Sequence, residues 1–301
     1  MDGLSWIRDK RESGQVMTVK TQRISADGAE MTYLTFPKLE ACDEIAHLFT
    51  TRLGGVSEGI WQSMNLSFHR GDQPEHVLEN YRRVARVLGC DVEDMVCSRQ
   101  THTTNILRVS AADGGKGVTR DTGYTDVDGL VTNEPGVALA TFYADCVPLY
   151  FVDRENRAIG LAHSGWRGTV QKMGAHMCRR MEAEFGSRPD KLIAAIGPSI
   201  CQACYEVSEE VAQAFADSLK GTEHLLQEIR GKVILPGRQP GKYQLDLWLA
   251  NLLILMEAGI PLQNIEVTDI CTCHNPQLLF SHRASMGKRG NLGAFLMLKK
   301  Y

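Results

Sequence analysis

GVALATFYADCVPLYFV, residues 136–152, is apolar on both sides of a polar break at Asp145 and Cys146. The flanks read as one long buried strand interrupted in its middle. A core strand avoids a carboxylate and gains nothing from a thiol that alanine would not supply. Three readings of the break follow: a nucleophilic cysteine, a metal ligand, or an inert core thiol beside a turn-capping aspartate.

Outward from this stretch the β signal continues. MVCSRQ, TNILRVS, GLVTN and AIGLAH are short apolar runs split by turns, and EMTYLTF and IAHLFTT precede them. PEHVLENYRRVARVLG predicts a helix with Val77, Tyr81, Val84 and Leu88 on one face, Pro74 near its start and Gly89 as its stop. TVQKMGAHMCRRMEAEFG predicts a second helix, carrying Val170, Met173, Met177, Met181 and Phe185 and closed by Gly186. KLIAAIG reads as a buried strand, SEEVAQAFADSL and QLDLWLANLLILMEAG as helices, and IEVTDIC, LLFSH and GAFLML as the final strands. Many neighbouring strands are joined by turns too short for a crossover helix, which argues against a doubly wound parallel sheet. The expectation is α+β: mixed β-sheets flanked by helices in a single large domain over residues 31–301. Residues 1–30 are polar and unpatterned and read as an N-terminal extension.

At 301 residues, 43% apolar, 23% charged and a formal charge of −3, the chain has the balance of an ordinary globular protein. Nothing in it points to nucleic acid or a membrane. No signal-peptide core opens the chain and no run approaches the ~20 apolar residues that cross a bilayer, so the cytoplasm is expected. Nine cysteines lie at 42, 90, 97, 146, 178, 201, 204, 271 and 273 without a small-scaffold framework, and they read as thiols and candidate metal ligands.

His102, Cys146 and His163 each stand where a strand-like run stops or turns, the kind of position from which side chains converge on one cleft. Two imidazoles and a thiolate suit Zn²⁺, and three protein ligands leave a fourth position for water or substrate. Their spacing is no local motif, so convergence does not follow from it. Cys146 and His163 also suit a nucleophile and its base, with Asp145 or Gln100 orienting the ring. Asp145 disfavours that reading, because a neighbouring negative charge raises a thiol pKa, whereas a divalent cation reverses the sign. HSGWRGT leads into a helix with small residues and Arg167, and TRLGGVSEG opens with Arg52; both suit an anion, and both suit a plain glycine turn beside a solvated arginine. Neither matches a phosphate-loop or dinucleotide fingerprint. Cys201 and Cys204 form C-x-x-C; Cys271 and Cys273 would complete a Cys₄ zinc site, but with one intervening residue instead of two.

TRLGGVSEG, NLSFHRGD, RQTH, DGLVT, ADCVPL, AHSGWRGT, IGPSI with CYEV, LDL, and CTC with FSHR occur in an order that resembles the multicopper polyphenol oxidoreductase laccase family, also called YfiH-like or peptidoglycan editing factor proteins. The resemblance covers roughly residues 45–298. It implies zinc held by His102, Cys146 and His163, and an α+β fold related to the cytotoxic necrotizing factor catalytic domain, whose Cys-His pair works in a hydrolase. It implies phosphate-dependent cleavage of purine nucleosides (adenosine, inosine, guanosine, methylthioadenosine) together with adenosine deamination. A blue-copper oxidase needs several copper centres, which nine dispersed histidines do not supply. For that chemistry Arg52, then Arg167, are the expected phosphate ligands, and Asp145 the donor to the purine. The rival expectation is a cysteine or amidohydrolase acting on a peptidoglycan precursor.

Overall fold

The structure, a computed structural model, describes residues 7–8, 17–24, 28–227, 229 and 231–300. Its strands are β1 (Thr18–Arg23), β2 (Glu30–Thr35), β3 (Ile45–Thr50), β4 (Met95–Cys97), β5 (Ile106–Arg108), β6 (Gly129–Thr132), β7 (Ala138–Tyr143), β8 (Val147–Asp153), β9 (Ala158–Ser164), β10 (Ile193–Ile196), β11 (Glu206–Ser208), β12 (Ile234–Pro236), β13 (Lys242–Leu245), β14 (Ile265–Val267) and β15 (Leu292–Leu298). The helices are α1 (Pro37–Glu40), α2 (Pro74–Leu88), α3 (Trp166–Val170), α4 (Met173–Phe185), α5 (Glu209–Ser218), α6 (Leu247–Glu257) and α7 (His282–Ser285). None is long and apolar enough to cross a membrane.

Two six-stranded sheets, ordered β1-β2-β3-β15-β7-β4 and β14-β10-β8-β9-β6-β5, pack face to face, and β11-β13-β12 form a small third sheet. Pairing is mixed: β4 runs parallel to β7, β5 to β6 and β10 to β14, and the other pairs are antiparallel. Helix α2 covers the outer face of the first sheet, and α4, α5 and α6 cover that of the second. Side chains alternate accordingly. In β7, Leu139 and Tyr143 face the second sheet while Ala138 and Ala140 face α2. In β9, Ile159 and Leu161 face the first sheet while Ala158 and Ala162 face α4. Strands buried on both faces have no polar phase, which is why residues 137–152 look continuous in sequence.

They are not one strand. β7 belongs to the first sheet and β8 to the second, and the break at Asp145 is where the chain crosses between them. Asp145 adopts φ 86°, left-handed backbone that aspartate tolerates better than a branched residue. LLFSH is likewise no strand: it is a buried turn whose Ser281 caps α7 by accepting from the Ala284 amide at 3.1 Å. The helix expected from Thr169 onward is broken, with Lys172 at φ 59° between α3 and α4. The Thr169 hydroxyl donates to the Gly165 carbonyl and accepts from Asn251 of α6, which pins α3 apart from α4. Strand β1, in the polar segment, is paired to β2 along its full length. α4 lies close on the sheet because β9 carries Gly160, where a Cβ would come within 2.5 Å of the Met177 methyl.

One buried carboxylate makes stability depend on pH. Glu266 in β14 is 1% exposed; one oxygen accepts from the Lys38 amide at 2.9 Å and the other has no partner among the described residues. Burial pushes its pKa from 4.5 up to about 7. The native state therefore holds a proton that the unfolded chain has released, so this contribution to stability falls as pH rises from about 4.5 through about 7. Glu266→Gln keeps the acceptor and removes the titration; its melting temperature should gain a few degrees on the wild type between pH 5 and pH 8. A difference that stays flat with pH would show that the side chain does not titrate there.

Candidate metal centre and its cavity

His102, Cys146 and His163 converge. One ligand atom from each lies within 4.8 Å of the others, with Cys146 Sγ 3.9 Å from His102 Nε2 and the two imidazole rings 4.9 Å apart. His163 continues the Ile159–Leu161 face of β9 and is 3% exposed, its ring 5.5 Å from that of Tyr143 on β7. Cys146 starts β8, and His102 stands on the loop after β4 at φ 68°. The cluster thus sits at one end of the sandwich, fed by both sheets. Gly165, just past β9, keeps it open: a Cβ there would lie 3.0 Å from Cys146 Sγ and 2.9 Å from His102 Cδ2.

The organising residue is Asp128, which opens DGLVT and carries no sign in the sequence that it belongs to the site. Fully buried, its carboxylate meets His163 Nδ1 at 2.8 Å and accepts the backbone amides of Thr101, His102 and Thr103, each at 3.0 Å. One aspartate therefore aims His163 Nε2 at the cluster and shapes the loop that presents His102. Burial opposes its charge, but the His163 ring and the amides outweigh burial and hold Asp128 below the usual carboxylate range. Burial also opposes the Cys146 thiolate, and the two imidazoles outweigh it, bringing the thiol down to about 6. His163, desolvated yet beside the Cys146 thiolate and Asp128, rises to about 9. The pair is electrostatically prepared either to hold a cation or to act as thiolate and imidazolium. Asp128→Asn should lower metal affinity roughly 10- to 100-fold and loosen the 101–103 loop, because an amide NH2 would face donors that a carboxylate oxygen accepted. A competition titration against a chromogenic chelator reads this, and unchanged affinity would remove Asp128 from the role.

The cluster opens into a cavity of about 440 Å³ walled by Phe68, Phe142 and Tyr143 and by three cations, Arg70, Arg99 and Arg289. Arg289 is 9% exposed, its Nε has no partner, and Nη1 donates only to the Gly290 carbonyl and the Asn291 side chain. Among the described residues it makes no ion pair; burial and the neighbouring Arg70 push it down to about 10. His69, also on the wall, meets Arg99 Nη1 at 3.1 Å through Nε2.

The other expected residues lie elsewhere. Arg52 donates to the Gln62 and Pro276 carbonyls, both at 2.8 Å, and stacks on Phe280; Arg167 is exposed over Trp166. Neither lines the cavity. Asp145 precedes Cys146, but both its oxygens are engaged, one by the Thr272 hydroxyl at 2.6 Å and one by the Arg283 amide at 2.7 Å.

The sequence profile of the multi-copper polyphenol oxidoreductase laccase family matches residues 46–299. The chain belongs to that family. Within it, the purine nucleoside phosphorylase YlmD of Geobacillus stearothermophilus is 40% identical over 251 residues, 82% of this chain and 88% of its own. The adenosine deaminase RL5, from an unknown prokaryotic organism, is 34% identical over 244 residues, 78% of this chain and 87% of its own. The crystal structure of YlmD from Geobacillus stearothermophilus superposes with a TM-score of 0.83 at 33% identity, covering 95% of this chain and 100% of that one. The mixed-sheet α+β fold expected from the sequence is the fold of these relatives.

Proposed function

We propose that the protein is a zinc-dependent purine nucleoside phosphorylase that also deaminates adenosine, a cytoplasmic enzyme whose site is carried by a single domain over residues 31–301. The observation that carries the reading is one cavity that joins a Cys-His₂ cluster, an aromatic wall and a buried arginine that makes no ion pair among the described residues. The relatives named for these two activities support it.

In phosphorolysis a phosphate oxygen bonds to C1′ as the bond to N9 breaks; positive charge develops on the ribose and negative charge on the purine. Arg289, desolvated and already facing the cavity, is suited to hold the phosphate, with Arg70 beside it. Phe68, Phe142 and Tyr143 supply faces for a flat base. Because His69 accepts from Arg99 through Nε2, its Nδ1 carries the ring proton, and we assign it the donation to the departing purine. Asp145, with both oxygens engaged, positions Cys146. A zinc ion on His102, Cys146 and His163 supplies Lewis acidity at that end of the cavity. The donor set fits zinc: two imidazoles, one thiolate and one position left open. Adenosine, inosine, guanosine and methylthioadenosine are the substrates to try.

A second reading has an observation of its own. Cys146, His163 and Asp128 stand in the order nucleophile, base and orienting carboxylate, which suits a cysteine hydrolase acting on a peptidoglycan precursor. Incubating the purified protein with adenosine, with and without phosphate, and following adenine, inosine and ribose-1-phosphate separates the two. Phosphate-dependent adenine release supports the first. No turnover of any nucleoside, with hydrolysis of a peptidoglycan precursor by chelator-treated protein, selects the second.

A further inference from the structure

A second group of soft ligands lies outside the catalytic cavity. Cys201, Cys204, Cys271 and His274 place one ligand atom each within 4.8 Å of all the others. The spacing is Cys-x-x-Cys on one turn and Cys-x-x-His on another, so the partner that completes the set is His274 and not Cys273. Cys201 Sγ lies 3.8 Å from His274 Nδ1, close to the edge of a tetrahedron built with bonds of about 2.3 Å to sulfur and 2.0 Å to nitrogen. The Cys201 amide donates to Cys271 Sγ at 3.3 Å, which fixes that sulfur against the first turn. The two turns are locked in register, since Ser199 bridges Cys271 and the Thr272 amide donates to the Ser199 carbonyl at 3.0 Å. Cys201 and Cys271 are buried, Cys204 is half-buried and His274 is exposed, so the group opens to solvent on one side. All four cysteines of this region are free thiols. Three thiols and an imidazole with every position filled form a closed tetrahedral set, unlike the three-ligand open set at Cys146.

We propose that Cys201, Cys204, Cys271 and His274 bind a second, structural zinc ion that clamps the 199–205 turn to the 270–275 turn. The clamp bears on the catalytic cavity. The Ile200 amide donates to the Asp145 carbonyl at 3.0 Å, and the Thr272 hydroxyl donates to the Asp145 carboxylate at 2.6 Å. The residue before Cys201 and the residue after Cys271 therefore hold the crossover that presents Cys146. Fixing the two turns fixes that crossover.

The experiment is metal analysis of full-length protein expressed with added zinc and freed of loose metal. Wild type is expected to hold two zinc ions per chain, Cys204→Ser and His274→Gln one each, and Cys146→Ser one. Cobalt exchanged into Cys146→Ser should show the thiolate charge-transfer bands of a three-sulfur tetrahedral site. A single ion that survives in Cys146→Ser and disappears in Cys204→Ser supports the clamp equally, even if the catalytic zinc reading fails. If neither turn variant folds, wild type and Cys146→Ser still decide. The proposal is overturned by Cys146→Ser protein free of zinc, by turn variants that keep the full complement, or by a mass two hydrogens lower that locates a Cys201–Cys204 disulfide in place of metal.

Discussion

Replacing His163 by alanine is expected to cut nucleoside turnover by on the order of 10³-fold, about 4 kcal/mol of transition-state stabilisation, and to release the metal of the catalytic cluster. The size follows from what the side chain does. His163 is buried, is oriented by a fully buried carboxylate, and shares the thiolate of Cys146 with His102. Removing it leaves Asp128 buried without its imidazole partner, a loss that solvent does not repair. Both activities should be measured on the same preparation. C1′ and C6 of one bound purine nucleoside are too far apart to lie beside the same point of the cluster in one pose. Equal loss of phosphorolysis and deamination implies two substrate orientations over one shared centre; selective loss assigns the cluster to one reaction. Full retention of both in metal-free protein would defeat the zinc-dependent reading.

The second large effect is expected at Arg289. Arg289→Met keeps the volume and removes the charge. Phosphorolysis should fall roughly 10²-fold, about 3 kcal/mol, mostly as a raised KM for phosphate, while deamination, which uses no phosphate, stays within about twofold. The fold should not suffer, because a buried guanidinium that makes no ion pair among the described residues is a poor source of stability. Arg52→Met is the contrasting variant. Its guanidinium ties the Gln62 and Pro276 carbonyls together, so thermal stability should drop and the phosphate KM should not move. The opposite pattern would restore Arg52 as the phosphate ligand.

The two arginines show how far the sequence carries. Arg52 stood out because glycines surround it, yet those glycines serve backbone packing: a Cβ at Gly55 would fall 2.0 Å from the Ser63 carbonyl. Arg289 lies in the polar run GKRGN, where a cavity-facing arginine and a solvated one look alike. What distinguishes it is burial, a tertiary property. The strands and helices of the core were legible because periodicity and caps act locally, as with Pro74 and Gly89 around α2. The crossover at Asp145 was not, since a chain buried on both faces reads the same whether it continues in one sheet or enters a second. The cluster residues were picked out as strand ends, but their convergence, and the carboxylate of Asp128 behind them, depends on which ends meet. The spacing of Cys271 and Cys273 argued against a Cys₄ site for the same local reason, and it gave no sign that His274, one position further on, faces Cys201.

The placement of the cluster at the seam of the sandwich has a consequence for how the molecule comes apart. β7 and β8 carry the chain from one sheet to the other through Cys146, His163 stands on the second sheet, and His102 follows a strand of the first. An ion bound there adds a cross-link between two halves that are otherwise joined by apolar packing and a few buried hydrogen bonds, such as those of the Tyr143 and Tyr150 hydroxyls to the Ala162 and Leu48 carbonyls, and neither half can open without surrendering it. Metal-loaded protein should therefore melt in a single transition, with the amides of Thr101, His102 and Thr103 exchanging with solvent deuterium only through global unfolding. Stripped of metal, the same amides should exchange by a faster local route while the rest of the sandwich stays closed, and the occupied site would then act as a fastener between folding units as well as a reaction centre.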